Sequence, residues 1–161
     1  MSLKALKFPI SLALALCSMA ALAQLPNPYG ANISLEAAKK AAAPALAEAR
    51  KNNWTMVVVI VDAAGDLVYY EKMDNTQLGS SKVAIDKART AVRYKRPTKA
   101  MQDALAAGGA GLRVLGLEGA TPVEGGIPLI SDGKIVGAIG VSGDTSDHDG
   151  VCAKAAADNF K

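Results

Sequence analysis

The sequence predicts an α+β domain built on a central antiparallel sheet, with helices flanking it. Three observations lead there. Residues 54–62 (WTMVVVIVD) form a β-branched run suited to a strand buried on both faces. Residues 124–143 (EGGIPLISDGKIVGAIGVSG) read as a glycine-kinked strand, a tight turn at Ser131-Asp132-Gly133-Lys134, and a second strand over 135–142. Helical periodicities lie before, between and after these strand pairs, and the short links within each pair imply antiparallel pairing.

Taken in order, residues 24–32, with Pro26 and Pro28, are expected to be a flexible leader. Ser34 is an N-cap candidate, Glu36 suits a first helical turn, and Leu35, Ala38, Ala42, Leu46 and Ala49 make a narrow apolar stripe. Pro44 interrupts that pattern and predicts a kink or two helical pieces, because a mid-helix proline removes a hydrogen bond at a cost of about 3 kcal/mol. After the strand at 54–62, Ala63-Ala64-Gly65-Asp66 is a turn and residues 67–73 return as its partner. Ser80 or Ser81 is expected to cap a second helix reaching about Lys95, with Val83, Ala84, Lys87, Ala88, Ala91 and Val92 near one face. Pro97 stops it, Thr98 is expected to cap a short third helix, and the glycines at 108, 109 and 111 dissolve that helix. A turn over 117–122 leads into the glycine-rich hairpin, and a last helix from about Asp147 to Phe160 closes the domain.

The first 23 residues stand apart. Lys4 and Lys7 precede an almost wholly apolar stretch, and Ala21-Leu22-Ala23 before Gln24 has the form of a signal-peptidase site. The apolar run is short for a bilayer span, which needs about 20 residues. A cleaved export signal over 1–23 and a periplasmic or secreted protein are the expectation, with residues 33–161 as one domain. Cys17 lies inside the apolar stretch after Leu16, which does not suit a lipid-anchor site. Cleavage removes two lysines and no acid, so 18 basic against 15 acidic residues becomes 16 against 15, and the formal charge falls from +3 to +1. No block of basic residues tracks phosphates, which argues against a nucleic-acid partner. Cys152 is then the one remaining cysteine, and its place in a helical repeat with Val151, Ala155 and Ala156 predicts burial.

Little in the sequence spells catalysis. His148 is the one histidine, which removes any multi-histidine metal site from a single chain. Asp144, Asp147 and Asp149 surround it and Cys152 follows one helical turn on, so a metal or haem-iron contact through His148 is one reading. The simpler reading is a helix start, Ser146 to Asp149, with acidic groups at the positive end of the dipole. The glycines at 125, 126, 137, 140 and 143 are expensive in strands and imply that a helix, another subunit or a ligand comes close to bare backbone. They do not form a phosphate loop. Arg89, Arg93, Lys95, Arg96 and Lys99 form a basic cluster, either a solvated helix face or a partner for carboxylates such as haem propionates. Met73, Tyr94 and Met101 could ligate iron or flank a flat ring, though such residues commonly pack. With no nucleophile and base in view, any activity belongs to a cofactor.

Several segments together resemble the GlcG/HbpS family, whose domain also occurs at the C-terminal end of some PduO-type cobalamin adenosyltransferases. They are Val61-Asp62-Ala63-Ala64-Gly65-Asp66-Leu67-Val68, Lys72-Met73-Asp74, Lys87-Ala88-Arg89-Thr90-Ala91, Arg96-Pro97-Thr98, Gly125-Gly126-Ile127-Pro128-Leu129, residues 136–143 and the helix over 149–157. Each is weak alone; their order and spacing are specific. The resemblance implies a profilin-like fold with about five antiparallel strands, self-assembly into dimers or larger oligomers, and haem as the cofactor, with a haem-degrading or redox-sensing accessory role. No family motif maps an iron ligand onto this chain. From chemistry and position, the expected cofactor-binding residues are Arg96, Thr98, Met101, Gly125, Gly126, Ile127, Pro128 and His148, with His148 as the metal ligand. The second reading is a non-haem small-molecule-binding accessory subunit of a periplasmic oxidoreductase or sensor. An oligomeric scaffold without a ligand is a third.

Overall fold

A computed structural model describes residues 26–161; the expected export signal, Cys17 and the start of the leader lie outside the described residues. The elements run α1 (Leu35–Lys51), β1 (Val57–Asp62), β2 (Leu67–Lys72), α2 (Ser80–Tyr94), α3 (Thr98–Ala106), a 3-10 segment (Gly109–Gly116), β3 (Gly126–Ser131), β4 (Lys134–Ser142) and α4 (Ser146–Asn159). The sheet is antiparallel throughout, in the order β2-β1-β4-β3.

The β-branched run makes β1 an interior strand buried along its whole length, as its composition predicts. Successive side chains of a strand point to opposite faces. Val58 and Ile60 of β1, with Ile139 and Val141 of β4, join α1 and α4 in one core. Val57, Val59 and Val61, with Ala138, join α2 in the other. The result is three layers: α1 and α4, the sheet, and α2.

Four strands are present among the described residues where about five were expected. The fifth place is taken by the leader. Beyond the Asp62–Gly137 pairing, β1 stops and the edge of β4 is left open. The Gly30 amide donates to the Ile135 carbonyl, the Ile135 amide to Pro28, and the Ile33 amide to Val136, so Tyr29 forms a single parallel bridge with Ile135. Unpaired strand amides carry a desolvation penalty. That penalty explains why the leader is tied down from Asn27 onward instead of flexible.

Other local expectations change in detail. Ser34 does cap α1, accepting the Ala37 amide, but α1 runs unbroken through Pro44. The carbonyl that Pro44 leaves unpaired belongs to exposed Lys40, where water can satisfy it. Neither Ser80 nor Ser81 caps α2. Gly79 stands at its N-cap, while the Ser142 hydroxyl reaches Ser80 at 3.3 Å and the Tyr70 hydroxyl donates to Ser81. Thr98 begins α3 rather than capping it, Pro97 being the cap residue. Thr145, one residue earlier than expected, caps α4 by accepting the His148 amide. The glycine-rich stretch after α3 forms the 3-10 segment, an element the residue pattern did not suggest.

The hairpin glycines are explained by neighbours within the chain. A Cβ on Gly140 would lie 2.0 Å from the Ala84 carbonyl oxygen of α2, and one on Gly126 would lie 2.4 Å from that of Lys87. A Cβ on Gly143 would strike the Thr55 carbonyl oxygen at 2.0 Å. At Gly126 and Gly140 a neighbouring helix, rather than another subunit or a ligand, fills the bare face. A flat ligand therefore cannot lie over Gly126 and Gly140. Gly140→Ala should lower stability by about 1–3 kcal/mol or more, because the clash is with backbone that cannot rotate away. Gly116→Ala, where nothing lies within 4 Å, should stay within about 1 kcal/mol of the parent. Urea denaturation of the two variants side by side checks this contrast.

Candidate functional site

Beneath the hairpin lies a buried ion pair. Lys87, on the sheet-facing side of α2, donates from Nζ to Asp149 Oδ2 at 2.6 Å and to the Val141 carbonyl at 3.1 Å. Both side chains are shielded from water, at 1% and 3% exposure. Burial pushes the Lys87 ammonium down and the Asp149 carboxyl up in pKa, and their mutual contact opposes both shifts. Asp149 Oδ1 also accepts the Asp144 amide at 3.4 Å, fixing the turn that enters α4. Gly125 sits against this pair at φ +124°, a backbone conformation natural to glycine, and an added Cβ would meet Asp149 Cβ at 2.9 Å and Lys87 Nζ at 3.0 Å.

From here, side-chain hydrogen bonds carry the order outward to a cleft. Thr98 Oγ1 accepts the Gly126 amide at 2.9 Å, locking the first turn of α3 to β3. Gln102 accepts the Glu124 amide at 2.7 Å, and Thr90 of α2 accepts the Thr121 amide at 2.9 Å. The Tyr94 hydroxyl and Arg93 both donate to the Glu118 carbonyl, at 2.6 and 3.1 Å. α2 ends at Lys95 in the left-handed region (φ 54°), which costs a non-glycine residue about 1–2 kcal/mol. The Lys95 ammonium lies 4.2 Å from the centre of the Tyr29 ring, a cation–π contact that offsets part of that cost.

The cleft so framed holds about 290 Å³ between the end of α2, α3 and the 3-10 segment. Ala100, Ala104, Val114 and Leu117 form apolar walls; Tyr94, its hydroxyl bonded to the Glu118 carbonyl, and the buried Met101 bring an oxygen and a sulfur to the lining; Arg96 and Arg113 bring positive charge. Two of the sequence-predicted residues, Arg96 and Met101, thus meet in one site. Thr98, Gly125, Gly126, Ile127 and Pro128 do not line it. They form the packed joint behind it. From sequence, Tyr94 is recognisable only as a general iron-ligand type, and Arg113 carries no signal because nothing local marks a 3-10 segment folding back against α3.

His148 lies elsewhere. Its ring stacks on Trp54 at 3.9 Å between centroids with a 12° tilt, and Nδ1 sits 3.5 Å from Asp144 Oδ1. Among the described residues, no group of three or more His, Cys, Asp or Glu side chains is arranged to hold a metal ion. Cys152, on the same helix, is fully buried, and burial pushes its thiol up to about 12. No described helix is long and apolar enough to cross a membrane.

Both the buried ion pair and the buried thiol have measurable consequences. Lys87→Met should cost about 3–5 kcal/mol because it strands a buried carboxylate, whereas Lys87→Met combined with Asp149→Leu should recover much of the loss in urea denaturation. The raised Cys152 pKa means that the unfolded chain loses its thiol proton first. Stability should therefore fall as pH rises from about 9 toward 12. Cys152→Ala should flatten part of that fall in denaturation curves at pH 8 and 11. In a Cys17→Ser background, the parent should resist thiol labelling at pH 8 until denatured.

Comparison with known proteins agrees with this architecture. The family described as haem degrading protein HbpS-like matches residues 33–158. Protein GlcG of Escherichia coli K12 is 36% identical over 95 residues, 59% of this chain and 69% of GlcG. The crystal structure of a double mutant of Streptomyces reticuli HbpS superposes with a TM-score of 0.74 at 31% identity, covering 82% of this chain and 89% of that one. A crystal structure of a PduOC:heme complex superposes with a TM-score of 0.70 at 29% identity, covering 79% and 94%. On fold, matched length and identity together, this chain belongs to the HbpS-like family.

Proposed function

We propose that this chain is an exported haem-binding protein whose cleft between α2, α3 and the 3-10 segment receives the ring. One observation carries the reading: in a family with a haem-complexed member, this cleft gathers apolar walls, two candidate iron ligands and two arginines. The residues fit the group. Ala100, Ala104, Val114 and Leu117 suit a flat apolar face, Met101 and Tyr94 are donor types that haem iron accepts, and Arg96 and Arg113 suit propionates. When bound, haem would supply the redox chemistry for which the described residues show no side-chain constellation. The chain's own part is to orient the ring, pair its carboxylates and limit water at one face.

At about 290 Å³ the cleft lies just below the range for small-molecule pockets, so it would receive one edge or face of the ring and not enclose it. Leu112, Leu115 and Leu117 stand exposed along the 3-10 segment beside it. Self-association through that apolar edge would cover the outer face of the ring, in keeping with the homo-oligomer expected from the sequence. Export rests on the sequence of residues 1–23.

Haemin titration tests the reading. Protein recovered from outside the inner membrane, starting at Gln24 by mass, should give a Soret band distinct from free haemin. Arg96→Ala/Arg113→Ala should weaken binding about 10-fold or more, from loss of charge-assisted hydrogen bonds. Ala104→Trp should block the cleft, and His148→Ala should leave the spectrum unchanged. A spectrum equal to free haemin plus inert protein rejects the proposal. A Soret shift in His148→Ala moves the iron ligand to α4.

A further inference from the structure

A second cleft, beside the last turns of α2, has a different chemistry. It encloses about 400 Å³ and is lined by Tyr29, the β1–β2 turn residues Ala63, Ala64, Gly65 and Asp66, and Arg89, Val92 and Arg93 of α2. Arg89 and Arg93 stand one helical turn apart, about 6 Å along the axis. Each is held by a single tether: Arg89 Nε donates to the Gly65 carbonyl at 3.1 Å, and Arg93 Nη1 to the Glu118 carbonyl at 3.1 Å. The remaining guanidinium N–H groups have no protein acceptor among the described residues. Neither arginine has a carboxylate within 4 Å among the described residues, although Asp66 lies on the rim of the same cleft. Like charges at this spacing repel by about 0.2–0.5 kcal/mol, a cost that an anion between them would reverse.

The turn narrows the class of anion. A phosphate nest needs free backbone amides. Here the Ala64 and Asp66 amides donate to Asp62 Oδ1, and the Gly65 amide donates to the Asp62 carbonyl. Recognition is left to two guanidinium forks, whose planar geometry matches carboxylate and phosphate oxygens alike; their spacing of about 6 Å along the helix suits two carboxylates on a short chain better than one phosphate. Val92, Ala63, Ala64 and the Tyr29 ring supply apolar wall between them. The Tyr29 hydroxyl donates to the Val92 carbonyl at 2.8 Å, so this wall is fixed in place.

We propose that this cleft binds a small organic dicarboxylate, one carboxylate on each of Arg89 and Arg93 and a short carbon chain against Val92 and Tyr29. No residue lines both this site and the proposed haem cleft, although Arg93 of one and Tyr94 of the other are tethered to the same Glu118 carbonyl.

Calorimetric titration of the full chain with succinate and glutarate tests the proposal, at constant ionic strength so that screening is equal throughout. Saturable binding is expected for at least one of them. Butyrate, with one carboxylate, and inorganic phosphate should each bind at least 10-fold more weakly. Arg89→Gln/Arg93→Gln should weaken the dicarboxylate at least 10-fold; Arg89→Gln alone, which keeps the Arg93 tether to the Glu118 carbonyl, should also weaken it while leaving haemin binding and the urea midpoint near those of the parent. No heat with either dicarboxylate, phosphate binding as well as succinate, or undiminished binding in the double variant would each overturn it. Loss of haemin binding in Arg89→Gln would overturn the separateness of the two sites.

Discussion

The contact between α2 and the bare backbone of the β3–β4 hairpin governs much of this structure. Helix and sheet approach more closely than side chains normally permit, because Gly126 and Gly140 pair across the hairpin and offer nothing but main chain to α2. The helix answers with Ala84 and Ala88, the smallest residues that still favour a helix. Such a joint has no slack. It sets the height of α2 over the sheet, and so the position of every group that α2 carries beyond the joint.

Function-bearing groups hang from that joint on both sides. Lys87 reaches from α2 past Gly125 to Asp149, connecting the α2 layer to α4 on the far side of the sheet. A buried ion pair is weak as a source of net stability and demanding of geometry. Its value here lies in fixing register: only one placement of α4 satisfies both ends. Thr98 and Gln102 then fasten α3 to the segment entering β3, so the apolar cleft inherits its shape from the hairpin. The exposed ridge of α2 carries Arg89 and Arg93 to the other cleft. Two chemically distinct clefts thus adjoin one helix terminus, both positioned by the same packing.

The large elements were legible because their signals are local. A β-branched run, a turn of Ser-Asp-Gly-Lys, a Ser34 cap and alanine periodicity each act over a few residues and point to the same α+β answer. Lys87 was visible as one charged member of an apolar helix face, and Cys152 as a small residue in a buried repeat, but neither showed its partner. The glycines announced close approach without saying what approached. The site was less legible. Arg96 and Met101 proved to share a cleft, while Thr98 and the 125–128 segment form the joint behind it, and His148 packs on Trp54. Serines 80 and 81 have cap chemistry but are engaged by other side chains, because the entry to α2 packs against β2 and β4.

The sequence by itself determined the class of fold, the order of nearly all elements, the burial of β1 and Cys152, and the demand for something close against the final hairpin. Those features follow from backbone propensity and hydrophobic period, which neighbouring residues settle among themselves. Tertiary structure alone decided that α2 meets that demand, that the leader takes the fifth place beside β4, that Lys87 finds Asp149 62 residues away, and that Arg113 joins Arg96 across a cleft. Each of these is a choice among partners far apart in the chain. Such choices depend on which close approach leaves no buried polar group unpaired and no backbone in collision, and no local pattern records that.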